Sequence, residues 1–147
     1  MPSAEQPSIT PEQLDGFCKQ HLGAAVRQVL FTAGYSSRVI GVELGDGRRA
    51  VVKWRRWRVR LLACSAVHRQ MWAAGFPCPE PLGPPRRLGE LAVSVEAHLP
   101  GGRPLDRGEG APARLAGVLA DFVRAAPSPE AVDGDLAPDM GFLRWRH

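Results

Sequence analysis

Apolar positions along the chain keep two different rhythms, and the changes between them mark the elements. Thr10-Pro11-Glu12-Gln13 opens the first of them. Threonine suits an N-cap, proline the first helical position, and glutamine three residues after the cap completes a capping box. The spacing predicts a short helix to about His21, with Gly23 at its C-terminal end, lying on a sheet. Val26, Val29, Leu30 and Phe31 then crowd residues 25–32 as a first strand. A turn of small residues, 33–38, separates it from a second, Val39-Ile40-Gly41-Val42-Glu43-Leu44. Asp46-Gly47 follows, a hairpin signal because such a turn needs positive φ and glycine supplies it without a steric cost. The third strand, Ala50-Val51-Val52, ends on Lys53. Strand alternation places Val51 and Lys53 on one face of this three-stranded meander, and Val52 and Trp54 on the other.

Past the basic and aromatic segment 54–60 the rhythm turns helical. Val59, Ala63, Ala66, Val67, Met71 and Ala74 form a stripe that stops at Gly75, and Pro77 and Pro79 prevent its resumption. Residues 81–88 are turn-rich with room for a short strand, and 91–99 form another strand that breaks at Pro100-Gly101-Gly102. After a linker at 108–112, residues 113–126 are amphipathic, with Leu115, Val118, Leu119, Phe122 and Val123 expected to be buried. The pattern therefore predicts an α+β fold. An antiparallel sheet of about five strands carries a packing helix, and a hinge and one further helix follow. Residues 1–10 read as a disordered lead-in, 11–99 as one lobe, 100–112 as a hinge or linker, 113–126 as a separate helix and 127–147 as an irregular tail.

Composition narrows the classes. The apolar fraction of 44% permits a modest core, and 16 glycines with 14 prolines agree with many turns. No apolar run reaches the ~18 residues of a membrane span, and the N-terminus lacks a signal-peptide pattern, so no membrane role is expected. Three cysteines, Cys18, Cys64 and Cys78, make neither a metal spacing nor an even disulfide set. The expected setting is cytoplasmic, with reduced thiols. The net charge of +4 hides a basic block: Arg48, Arg49, Lys53, Arg55, Arg56, Arg58, Arg60 and Arg69 fall in a stretch, 48–79, without an acidic residue.

Three stretches, 34–39 (Gly-Tyr-Ser-Ser-Arg-Val), 46–53 (Asp-Gly-Arg-Arg-Ala-Val-Val-Lys) and 73–82 (Ala-Ala-Gly-Phe-Pro-Cys-Pro-Glu-Pro-Leu), stand in order before 95–102 (Val-Glu-Ala-His-Leu-Pro-Gly-Gly). Their order and spacing resemble the aminoglycoside phosphotransferase family, whose fold is protein-kinase-like, over roughly residues 22–105 and in its amino-terminal lobe only. The resemblance implies ATP as the cofactor. Gly34, Tyr35, Ser36 and Ser37 would lie over its phosphates, where small residues let backbone N–H groups approach. Val39 and Val51 would pack on adenine, Lys53 would contact the α- and β-phosphates, and the backbone at Glu96, Ala97 and His98 would bind the adenine edge. The plain structural readings stand beside these: a turn, core valines, a strand-end charge.

The family pattern breaks at two points. Kinase-like enzymes pair the strand lysine with a glutamate on the next helix, but here that helix has no acid, only His68 and Gln70 as polar candidates. No catalytic Asp loop or metal-binding Asp follows either. Asp133-Gly134-Asp135-Leu136-Ala137-Pro138-Asp139-Met140 has Asp where the family has His and Met where it has Asn. No catalytic and no metal-ligating residue is assigned. The expected function is the ATP-binding lobe of a small-molecule phosphotransferase, truncated after the first helix of a second lobe. Alone it is not catalytic, and Mg²⁺ and the small-molecule acceptor would belong to the remainder. Two alternatives stay open. One is a non-catalytic binding module using the Trp54–Arg60 segment for nucleic acid or another anion, with nucleic acid the less expected partner. The other is a pseudokinase-like interaction domain.

Overall fold

The computed structural model describes residues 8–34, 37–102 and 108–127. Its elements are α1 (Pro11–Leu22), β1 (Val26–Ala33), β2 (Arg38–Leu44), β3 (Arg49–Arg56), α2 (Arg60–Ala73), β4 (Arg86–Leu88), β5 (Leu91–Ala97) and α3 (Ala111–Ala125). The fold is α+β, with one five-stranded antiparallel sheet in the order β1-β2-β3-β5-β4. The chain divides into two compact units. Residues 1–58 and 81–98 carry α1 and the whole sheet, and residues 59–80 and 99–147 carry α2 and α3.

In the sheet unit, α1 begins as its sequence requires. The Thr10 hydroxyl accepts from the Gln13 amide at 3.2 Å, and the Gln13 side chain accepts from the Thr10 amide at 3.0 Å. Gly23 closes the helix in the left-handed region at φ 78°. Asp15 ties the helix to the sheet by accepting from the Val26 amide at 2.9 Å. Leu14, Phe17 and Cys18 pack on Ile40, Val42, Leu44, Ala50, Val52, Trp54, Leu91, Val93 and Val95. Every second residue of three adjacent strands thus faces α1, so the period-2 pattern sets which side of the sheet is core. The β2–β3 hairpin turns at Gly47, φ 86°, and Asp46 accepts from the Arg48 amide and side chain at 3.0 and 2.8 Å.

Several boundaries differ from the sequence reading. β3 does not stop at Lys53 but runs to Arg56, because β5 pairs with it as far as Arg56↔Leu91. The short strand within 81–88 is β4, confined to its last three residues. β5 ends at Ala97 rather than Leu99.

In the second unit, α2 starts at Arg60, so Val59 lies before it and is exposed. Leu61, Ala63 and Met71 are its buried residues, and Ala74 is exposed. The His68 ring nitrogen Nε2 bonds the Pro79 carbonyl at 2.8 Å, which fastens the segment after the helix back to it. The expected burial of the α3 stripe is not found. Leu115, Val118, Leu119, Phe122 and Val123 are 43% to 65% exposed. Phe76 meets Phe122 edge-on with ring centroids 5.7 Å apart. Periodicity identifies an apolar face; it does not say what covers that face.

Candidate functional site

The face of the sheet opposite α1 carries the candidate chemistry. Cross-strand pairing sets out its rows. Phe31 pairs with Gly41, Gly41 with Val51, and Val51 with Glu96. The next row runs Ala33, Val39, Lys53, Ser94. Residues directly opposite in antiparallel strands share a face, so these rows lie side by side on one surface.

Lys53 stands on the central strand. Its Nζ lies 2.6 Å from Glu96 Oε1, and the side chains are 32% and 15% exposed. The lysine's counter-charge comes from a neighbouring strand: Glu96 sits diagonally across the β3–β5 ladder, where Val51 is its direct partner. The sequence reading gave Glu96 a backbone role and missed this side chain. The signal was present as a lone acid in an apolar strand, opposite another strand with a lone lysine, but the pairing of β3 with β5 was needed to read it. An ammonium has three donors, so one held by Glu96 leaves two directed elsewhere.

Beside this pair lies an apolar shelf. Val51 is buried and Val39 half-buried. Phe31, counted in the sequence only as a strand residue, lies over Gly41; a Cβ there would stand 2.2 Å from the Phe31 ring. Gly41 thus lets the ring lie flat against the strand. The Phe31 and His98 rings are 5.9 Å apart, and the His98 Nδ1 is buried without a hydrogen-bond partner. At the far end of the same face, Glu43 bridges Arg27 on β1 and Arg49 on β3 at 3.3 and 3.1 Å.

The remaining expected positions fall as follows. Gly34 has φ 149°, and a Cβ on it would lie 2.1 Å from the Ser37 carbonyl oxygen, so the β1–β2 connection closes in a way only glycine allows. Ser37 is half-buried; Tyr35 and Ser36 lie outside the described residues. Glu96 and Ala97 end β5, and the His98 amide donates to the Arg49 carbonyl at 3.2 Å. On the outer side of β5, Pro81 bridges Glu96 and the Leu82 amide donates to the Val95 carbonyl at 2.9 Å. The 133–140 loop also lies outside the described residues. Trp54 is in the core, and Trp57 carries the Arg87 guanidinium 5.3 Å above its ring, so this basic segment does not present two open aromatic faces.

Among the described residues no three His, Cys, Asp or Glu side chains gather as a metal site, and no helix is long and apolar enough to cross a membrane.

The five-stranded antiparallel sheet, with α1 on one face and Lys53 on its third strand, is consistent with the fold of a kinase-like amino-terminal lobe. Among solved structures it is similar to the apo form of a thermostable mutant of the aminoglycoside phosphotransferase APH(4)-Ia, with a TM-score of 0.53 and 23% identity over 77% of this chain. The match covers 39% of that chain, so the present sequence spans about two fifths of its length. No family model matches the sequence, and no curated protein matches it. The likeness is one of fold.

Proposed function

We propose that the sheet unit binds ATP as the nucleotide lobe of a small-molecule phosphotransferase of the aminoglycoside phosphotransferase kind, and that this chain does not transfer phosphate alone. The observation that carries the reading is the Lys53–Glu96 pair beside the Phe31, Val39 and Val51 shelf. A flat apolar surface suits a purine ring, and a tethered ammonium at its border suits phosphate oxygens. Lys53 would give its free donors to the α- and β-phosphates. The turn from Gly34 through Tyr35 and Ser36 to Ser37 would lie above them, and the chain at Glu96, Ala97 and His98 would border the base. Mg²⁺ and the acceptor would be held by a second lobe that this sequence does not include. Phosphoryl transfer depends on metal electrostatics and positioning, so ATP binding without turnover is the expected behaviour. That none of the three cysteines is joined in a disulfide supports a reducing, cytoplasmic setting.

The test is thermal unfolding with and without ATP. Wild-type protein should be stabilised and Lys53→Ala should not. Salt-sensitive binding of single-stranded nucleic acid that survives Lys53→Ala, with no response to ATP, would point instead to the basic 54–60 segment.

A further inference from the structure

A groove of about 560 Å³ opens between α1 and the edge strand β4, on the α1 side of the sheet and within the sheet unit alone. That size lies within the range of small-molecule sites. Phe17 and Leu88 give it an apolar floor, and Gln13 and Gln20 line its helix wall. Its charge comes from the strand. Arg86 pairs with Val93, a core residue, so its side chain leaves the sheet on the α1 side. Arg87, which also borders the groove, turns its guanidinium over Trp57 instead.

Three observations give this groove a preference. No carboxylate lines it, and among the described residues no carboxylate pairs with Arg86. His21 stands beside Arg86, its ring tilted against Phe17 with centroids 4.6 Å apart. Its pKa is lowered by burial and then by the Arg86 charge. Finally, Gly16 lies inside α1 and lines the groove, yet a Cβ there would meet nothing within 4 Å. Glycine inside a helix is destabilising relative to alanine, and here neither backbone strain nor close packing requires it. Its effect is to leave the groove wall bare.

We propose that this groove is a second ligand site, for a small organic anion with an apolar body: a phosphate monoester or a carboxylate. The anionic head sits between Arg86 and His21, where a guanidinium offers the two parallel donors that such oxygens accept. The Gln13 and Gln20 amides flank it, and the body lies on Phe17 and Leu88 across Gly16.

The test is side-chain NMR of the full chain during titration with phenyl phosphate, with benzoate as a parallel arm and phenol as the neutral control. Arg86 and His21 signals should move saturably with one or both anions and not with phenol. The arm that binds more tightly tells phosphate from carboxylate. Binding should weaken at least tenfold in Arg86→Ala, persist in Lys53→Ala, and be blocked in Gly16→Phe, whereas Gly16→Ala should raise the melting temperature. Shifts reproduced by sodium chloride at equal ionic strength, or retained in Arg86→Ala, would overturn the proposal. So would shifts lost in Lys53→Ala, which would assign the anion to the opposite face. The Lys53 site can fail its own test without affecting this one.

Discussion

Removing either member of the Lys53–Glu96 pair should cost stability unequally, and the inequality follows from burial. Glu96 is 15% exposed, so Lys53→Met leaves a carboxylate with little water and no counter-charge. The penalty for stranding a buried polar group is about 1–3 kcal/mol, and more for a charged one. Lys53 is 32% exposed on a four-carbon stem, so after Glu96→Gln its ammonium can swing to solvent. That change should cost about 0.5–1 kcal/mol, near the range of exposed pairs. The double variant, having no stranded charge, should lose well less than the sum of the two single losses, giving a coupling of roughly 1–2 kcal/mol. Urea unfolding of the four proteins measures the cycle, provided m stays constant. Additivity within about 0.5 kcal/mol, or a larger loss from Glu96→Gln than from Lys53→Met, would refute the pair as a structural anchor.

Other consequences are equally checkable. Burial raises the Cys18 thiol to about 11, so a thiol reagent near neutral pH should modify exposed Cys64 rapidly and reach Cys18 only on unfolding; rapid labelling of Cys18 in the native state would contradict its place in the core. Asp15 is held below its ordinary carboxylate value, first by its bond to Lys19 and then by the Val26 amide. A lowered folded-state pKa stabilises above the unfolded value of about 4 and is lost as pH falls through the folded one. Asp15→Asn should therefore flatten the acid limb of the stability curve, and an unchanged limb would dismiss the link between α1 and β1. Leu44→Ala, at 1% exposure, should cost about 2–5 kcal/mol, whereas Leu119→Ala, at 63%, should cost less than about 1 kcal/mol in the same denaturation assay.

The sheet was legible because period-2 alternation and turn chemistry agree along residues 26–56. Parity alone puts Val52 and Trp54 on one face, which packing against α1 makes the core, and Thr10, Gln13 and Gly23 bound α1 by their own chemistry. Edges were read less well. A strand's end depends on its partner, and β3 continues past Lys53 only because β5 reaches back to Leu91. The α3 stripe shows the same limit: spacing reveals a face that wants cover, while cover is a tertiary fact. Within the candidate site, the family resemblance names Lys53, Val39 and Val51, and strand parity adds only that Val51 and Lys53 share a face. Neither gives Glu96 as the lysine's partner, which depends on β5 lying beside β3, or Phe31 as part of the shelf, which depends on the ring lying over Gly41.

The central claim is that Lys53 marks an ATP site, and ATP titration by calorimetry of wild type and Lys53→Ala tests it most directly. Binding at one site per chain should appear in wild type and fall at least tenfold in the variant. At ligand a hundredfold above Kd, linkage should add about 2.7 kcal/mol of stability, roughly 5–10 °C in melting temperature for a chain of this size. Equal ATP binding by both proteins, or none by the wild type, would contradict the assignment of Lys53.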